Sequence, residues 1–134
     1  MIKRYTSKNR RKFNLKVHLI FVTKYRRPNL VAGLDTCVKE KITELCLKHE
    51  WEIVAMETDR DHIHLLLNYD ATERVSDIVH CLKQETTWEL WQNFYCFLRH
   101  RYWKKHIFWS DGYFACSVGE ISTETARHYI ENQG

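Results

Sequence analysis

The spacing of apolar positions along the chain predicts four strands and two long helices in the order β-α-β-β-α-β. Runs rich in β-branched and aromatic residues predict strands at 16–25, 51–58, 62–68 and 113–120. Apolar residues recur at helical spacing over 33–49 and from Val75 to about Tyr95. The predicted inward positions are Leu34, Val38, Ile42, Leu45 and Cys46 in the first helix and Val75, Ile78, Val79, Leu82 and Trp88 in the second. A short last helix is expected within 121–134.

This order of elements predicts an α+β, ferredoxin-like (RRM-like) fold. In that arrangement an antiparallel sheet is covered by helices on one face, and a hairpin joins the second and third strands. The other face of the sheet is free for a ligand. The chain of 134 residues has one proline, four glycines and no low-complexity linker, so we expect a single domain over 1–134.

Positive charge is concentrated at the start of the chain. Residues 1–34 contain ten Lys or Arg and no acid, whereas the rest contains eleven bases and seventeen acids. A basic arm over 1–15 is typical of proteins that bind polyanions, although such lysines can also simply solvate a terminus. The candidate phosphate contacts in this arm are Lys8, Arg10, Arg11 and Lys12.

A second basic segment contains aromatic residues as well. Its candidate nucleic-acid contacts are Arg99, Arg101, Tyr102, Trp103, Lys104 and Lys105. The two rings lie between cationic side chains, a pattern that suits stacking on unpaired nucleotides. Trp103 could equally belong to the core.

The cysteines and the apolar runs predict a cytoplasmic protein with no membrane segment. The five cysteines are widely spaced without a C-x-x-C pair, so we expect reduced, mostly buried thiols. The longest apolar runs are too short to span a bilayer, and the N-terminus lacks the apolar region of a signal peptide.

The third predicted strand carries two histidines in an apolar run, "DHIHLLLN". Because successive side chains of a strand point to opposite faces, His62 and His64 share one face and Ile63 and Leu65 share the other. Two imidazoles on one rigid strand can chelate a divalent cation. The H-x-H pattern alone favours a polar sheet face over a metal site.

The terminal helix carries a second candidate pair. Tyr129 and Gln133 are four residues apart, so they lie one turn apart on one helical face. A phenol with a pKa near 10 is a weak nucleophile unless a nearby cation or base favours the phenolate. Packing of Tyr129 against the core is the alternative interpretation.

Four stretches, "FVTKYRRP", "DHIHLL", "FWSDGYFACSVGEIS" and "ARHYIENQ", make the chain resemble the IS200/IS605-type single-tyrosine transposases of the HUH endonuclease superfamily. The resemblance covers about 16–133. It implies a metal-dependent transposase that cleaves and rejoins single-stranded DNA through a 5′-phosphotyrosine. In that scheme Tyr129 is the nucleophile, and His62, His64 and Gln133 hold Mg²⁺ or Mn²⁺.

The resemblance also implies partners. These are single-stranded DNA with hairpins near the element ends and a second copy of the chain, with the terminal helix of each copy serving the histidines of the other. Two alternatives remain open from the sequence. One is a ferredoxin-like nucleic-acid binding module without catalysis, and the other is a domesticated nuclease that nicks chromosomal repeats.

Overall fold

The computed structural model describes residues 15–117 and 129–132, and its elements follow the predicted order. The strands are β1 (Leu15–Val22), β2 (Glu52–Asp59), β3 (His62–Tyr69) and β4 (Phe114–Ser117). The helices are α1 (Leu34–His49), α2 (Val75–Asn93) and the short α3 (Tyr95–Leu98). Residues 129–131 are helical, and we call 129–132 the terminal segment. Residues 1–14 of the predicted arm and most of the predicted last helix, with Lys8, Arg10, Arg11, Lys12 and Gln133, lie outside the described residues.

The four strands form one antiparallel sheet in the order β2-β3-β1-β4. This confirms the predicted ferredoxin-like fold. The central strands β1 and β3 pair along their whole length, from Leu15 opposite Tyr69 to Val22 opposite His62. The hairpin between β2 and β3 is also confirmed, since Asp59 pairs with His62 across a two-residue connection.

The core lies between one sheet face and the helices α1 and α2. The central strands supply Val17, Leu19, Phe21, Ile63, Leu65 and Leu67, all of them buried. The helices supply Leu34, Val38, Ile42, Leu45, Cys46, Ile78, Val79, Leu82, Leu90 and Trp91. No helix in the described part of the chain is long and apolar enough to cross a membrane.

The opposite face of the sheet is partly covered by the terminal segment. Ile20 and Val22 are completely buried there, packed with Phe114, Tyr129 and Ile130. The part of this sheet face that Ile20 and Val22 form on β1 is therefore apolar and covered.

Three sequence predictions need correction. Trp88 is 58% exposed because α2 buries Leu82, Thr86 and Leu90, and a residue two positions from that stripe points away from it. β1 ends at Val22, and the next residues form a 3-10 turn in which Tyr25 has a φ of +62°. Among the cysteines only Cys46 is buried, and none of the five forms a disulfide.

Candidate active site

The alternation of β3 brings the two predicted metal ligands together. Ile63 and Leu65 are buried toward the helices, so His62 and His64 lie on the opposite face of the sheet. Their ring centroids are 4.9 Å apart and the rings are nearly perpendicular.

Each of these imidazoles is held through its Nδ1 atom. The Nδ1 of His62 lies 2.8 Å from Oδ1 of Asp61, and the Nδ1 of His64 lies 3.2 Å from Nε2 of His18. Neither Nε2 of the pair forms a hydrogen bond with a residue that the structure describes. A ligating histidine usually binds the metal with one ring nitrogen and a neighbouring group with the other, so this donor set fits a divalent cation.

The electrostatics around His64 favour a neutral ring. Burial lowers the pKa of His64, and the neighbouring His62 and His18 lower it further. Neutral imidazole is the form that binds metal, so this shift keeps His64 available as a ligand at neutral pH. Burial also lowers the pKa of His18, the ring that His64 contacts.

Within 15–117 and 129–132, no group of three His, Cys, Asp or Glu side chains is arranged to hold a metal ion. Two imidazoles leave most positions around Mg²⁺ or Mn²⁺ to other ligands, typically oxygen atoms. Gln133, which the resemblance implies as a ligand, follows directly after the last described residue.

Tyr129 packs against its own sheet. Its ring lies 5.4 Å from that of Phe114, and its hydroxyl is buried without a hydrogen-bond partner among the described residues. Burial raises the pKa of this phenol to about 12. In this packing Tyr129 is therefore a neutral phenol, half-buried, whose hydroxyl is shielded from solvent.

Arg26 connects the terminal segment to the histidines. Its guanidinium group lies 3.4 Å from Oδ2 of Asp61 and donates at 3.4 Å to the carbonyl of Glu131. Burial alone would raise the pKa of Asp61, but the contacts with His62 and Arg26 lower it below its usual value. The ionised carboxylate thus joins His62 to the guanidinium group.

Sequence reasoning missed the three residues that hold the site. Asp61 precedes the histidine pair directly and Arg26 belongs to the quoted "KYRRP", yet their contact spans 35 residues. His18 lies in the first predicted strand but contacts His64 across 46 residues. Only the register of the sheet reveals either contact.

Lys83 fixes the loop that supports Tyr129. Its Nζ donates to the carbonyls of Ser110, Asp111 and Gly112 at 2.6, 3.2 and 3.1 Å. A Cβ placed on Gly112 would lie 3.8 Å from the Tyr129 hydroxyl. Lys83 therefore holds the backbone against which the phenol packs.

The second basic segment forms one wall of an open groove of about 510 Å³, which we call the basic-aromatic groove. Its cationic and exposed aromatic lining consists of Lys24, Tyr25, Arg27, Arg101, Trp103, Lys104 and Lys105. Tyr25 and Trp103 are 58% and 75% exposed, so Trp103 is not a core residue. Arg99 is exposed outside the groove, 5.9 Å from the ring of Tyr95.

The structure corrects the expectation that Tyr102 stacks on nucleotides. Its side chain is buried in the core, where its hydroxyl donates to the carbonyl of Lys24 and accepts a hydrogen bond from Asn29. Tyr25, predicted as the last residue of the first strand, offers an exposed ring in its place.

The family profile described as "Transposase IS200 like" matches residues 11–133. The ISDra2 transposase TnpA of Deinococcus radiodurans is 28% identical over 121 residues, which are 90% of this chain and 85% of that protein. The transposase for insertion sequence element IS200 of Salmonella typhimurium is 30% identical over 122 residues, 91% of this chain and 78% of that protein.

Solved structures share the fold. A Deinococcus radiodurans R1 protein assigned to the transposases superposes with a TM-score of 0.81 at 30% identity, and the match covers 91% of both chains. A REP-associated tyrosine transposase bound to a REP hairpin superposes with a TM-score of 0.56. At 14% identity, with 89% of this chain and 64% of that chain covered, this second likeness concerns the fold alone.

Replacing Lys83 by Met should lower the free energy of unfolding by about 1–3 kcal/mol, because it removes a charged donor from three carbonyls. Lys48→Met, at an exposed position of α1, should change it by less than about 0.5 kcal/mol. Urea unfolding measures both, and hydrogen exchange at Gly112 and Tyr113 reports the loop. Equal stability of the two variants would show that the lysine does not hold this loop.

Proposed function

This chain belongs to the family of IS200-like transposases, and from that premise we propose that it cuts and rejoins single-stranded DNA through a covalent bond to Tyr129. The observation that carries this proposal is the histidine pair. Both rings are anchored through Nδ1, and both Nε2 atoms are left without a partner among the described residues. We interpret the two histidines as metal ligands rather than as polar residues of a sheet face. A polar face does not require two rings to be held in this way.

In the proposed mechanism His62 and His64 would hold a divalent cation through Nε2, and Gln133 would add an oxygen ligand. Mg²⁺ or Mn²⁺ bound there would supply positive charge to offset the negative charge that develops on the phosphoryl oxygens during displacement. The Tyr129 oxygen attacks phosphorus as the phenol loses its proton to solvent. The bond from phosphorus to the DNA 3′ oxygen breaks, and that oxygen takes up a proton.

The products of this step are a 5′-phosphotyrosine and a free 3′-hydroxyl. The phosphotyrosine keeps the energy of the phosphodiester, so a second 3′-hydroxyl can reverse the reaction and join new ends. Tyr129 must first become accessible, because its hydroxyl is buried in the packing described above. The reaction therefore requires the terminal segment to move away from its position on β1 and β4.

The basic-aromatic groove is the proposed path of the DNA strand. Exposed rings and cations line it, which suits stacking on unpaired bases and neutralisation of phosphates. The groove begins at Lys24, two residues beyond Val22, which pairs with His62. Hairpins near the element ends, which the resemblance implies, would add the duplex contacts.

Assembly into a homodimer with shared sites is also part of the proposal. When the terminal segment leaves, Ile20 and Val22 lose the cover that buries them completely. A second copy of the chain presents the same patch and the same segment, so a reciprocal exchange covers both patches again. Such an exchange would carry the tyrosine of each chain to the histidines of the other.

The central test uses single-stranded oligonucleotides from the two flanks of the protein's own gene, incubated with Mn²⁺. Wild-type protein should become covalently linked to a fragment, whereas Tyr129→Phe should bind DNA without forming the adduct. Tyr113→Phe serves as the matched control and should still react. His62→Ala combined with His64→Ala, or excess chelator, should abolish the reaction.

An adduct that persists in Tyr129→Phe would reject the assigned nucleophile. DNA binding without any adduct in the wild type would favour the non-catalytic binding module. Cleavage that survives loss of both histidines would reject the metal site.

Stacking in the groove is tested with a pair of exposed tryptophans. Trp103→Ala should weaken binding of single-stranded DNA by about 5- to 150-fold, because stacking of one base contributes about 1–3 kcal/mol. Trp88→Ala removes another exposed indole ring, from the outer side of α2, and should leave the affinity unchanged. Fluorescence anisotropy measures both, and similar losses in the two variants would argue against the groove.

The shared site is tested by mixing and refolding two inactive proteins. One carries Tyr129→Phe and the other carries His62→Ala with His64→Ala. If the terminal helix of each chain acts at the histidines of the other chain, each mixed dimer contains one intact site and adduct formation returns. If mixed dimers form and the adduct stays absent, each helix serves its own chain.

A further inference from the structure

His18 occupies a position that determines which nitrogen of His64 carries the proton. It lies on β1 on the same sheet face as the histidine pair, and its Nε2 is 3.2 Å from the Nδ1 of His64. The ring centroids are 5.4 Å apart and the rings are tilted by 34°. The backbone beside it is fixed on both sides, because His18 pairs with Leu66 of β3 and Cys116 of β4.

A hydrogen bond between two neutral imidazoles allows two arrangements. In the first, His64 donates from Nδ1 to the Nε2 lone pair of His18, and the Nε2 of His64 keeps the lone pair that a metal needs. In the second, His18 donates from Nε2 to the Nδ1 of His64, and the proton of His64 then blocks its Nε2. Only the first arrangement gives a ligand that matches His62, whose Nδ1 is held by the carboxylate of Asp61.

We propose that His18 is a positioning residue that accepts the Nδ1 hydrogen of His64 and thereby holds His64 in the tautomer that binds metal. This inference rests on the proposed metal site and assigns a different task to a third histidine. His18 contributes no ligand in this role, since its Nε2 is already engaged by His64.

The surroundings of the pair make His18 the acceptor on which the tautomer depends. A cavity of about 230 Å³ beside the two rings is lined by His18, Ala55, Met56, Glu57, His64, Leu65 and Leu66. Glu57, the one carboxylate in this lining, pairs with His64 across the strands, and no hydrogen bond joins its side chain to either ring in this part of the structure. Without His18, the Nδ1 of His64 would therefore lose the one side-chain acceptor that it contacts within 15–117 and 129–132.

The test compares two substitutions, His18→Gln and His18→Met, whose new side chains are similar in length. The glutamine side chain presents an oxygen near the position of the histidine Nε2, whereas methionine fills the space without a comparable acceptor. In metal-free protein, ¹⁵N NMR of the imidazoles should show His64 protonated at Nδ1 in the wild type and in His18→Gln. His18→Met should shift the proton to Nε2.

Metal affinity gives the second measurement. Titration with Mn²⁺, followed by electron paramagnetic resonance, should show binding about 10- to 100-fold weaker in His18→Met, the range typical of lost outer partners of a ligand. His18→Gln should bind close to the wild-type affinity. Equal affinities of Met and Gln variants, with wild-type binding intact, would overturn the role of His18 and leave the proposed function standing.

Two further outcomes keep the inference testable if a variant does not fold. A wild-type spectrum with His64 protonated at Nε2 would overturn it without any substitution. Failure of the wild-type chain to bind Mn²⁺ at all would reject the proposed metal site, and the inference with it.

Discussion

The pairing of β3 with β1 is the constraint on which the other features of this chain depend. Ile63, Leu65 and Leu67 must face the helices, and each contributes about 1.5–3 kcal/mol when buried. A shift of one residue would exchange the two faces of β3, placing the imidazoles in the core and the apolar side chains in water. The free energy gained by burying three aliphatic side chains therefore also fixes the orientation of His62 and His64.

Polar contacts extend this order from the strand to the loops around it. The Asp61 carboxylate contacts His62 on one side and Arg26 on the other, and Arg26 reaches the backbone of the terminal segment. The 3-10 turn that contains Arg26 also contains Lys24 and Tyr25, which line the basic-aromatic groove. The histidines, the terminal segment and the basic-aromatic groove therefore lie together at one end of β1. A structural change in one of them affects the other two.

The sequence predicted those features that depend on periodicity and missed those that depend on long-range register. Alternation alone predicted the faces of β3, and helical spacing predicted the buried positions of α1. Trp88 was misplaced because apolarity does not reveal which side of a helix faces the core. Tyr102 and Trp103 are adjacent aromatic residues, yet the Tyr102 hydroxyl is bonded to Asn29 and to the Lys24 carbonyl in the core, whereas Trp103 is exposed. The contact of His18 with His64 is a diagonal one between strands, which no local pattern encodes.

The burial of Ile20 and Val22 by residues that come much later in the chain has a consequence for biosynthesis. β1 and β3 leave the ribosome long before residues 129 and 130, so the apolar patch is bare while the two central strands are already able to pair. β4 is an edge strand beside this patch, and no other described strand pairs with its outer edge. An exposed apolar surface next to the edge of a sheet favours association between nascent chains, most of all on crowded polysomes. During translation a neighbouring copy can therefore cover the patch before the chain's own terminal segment does.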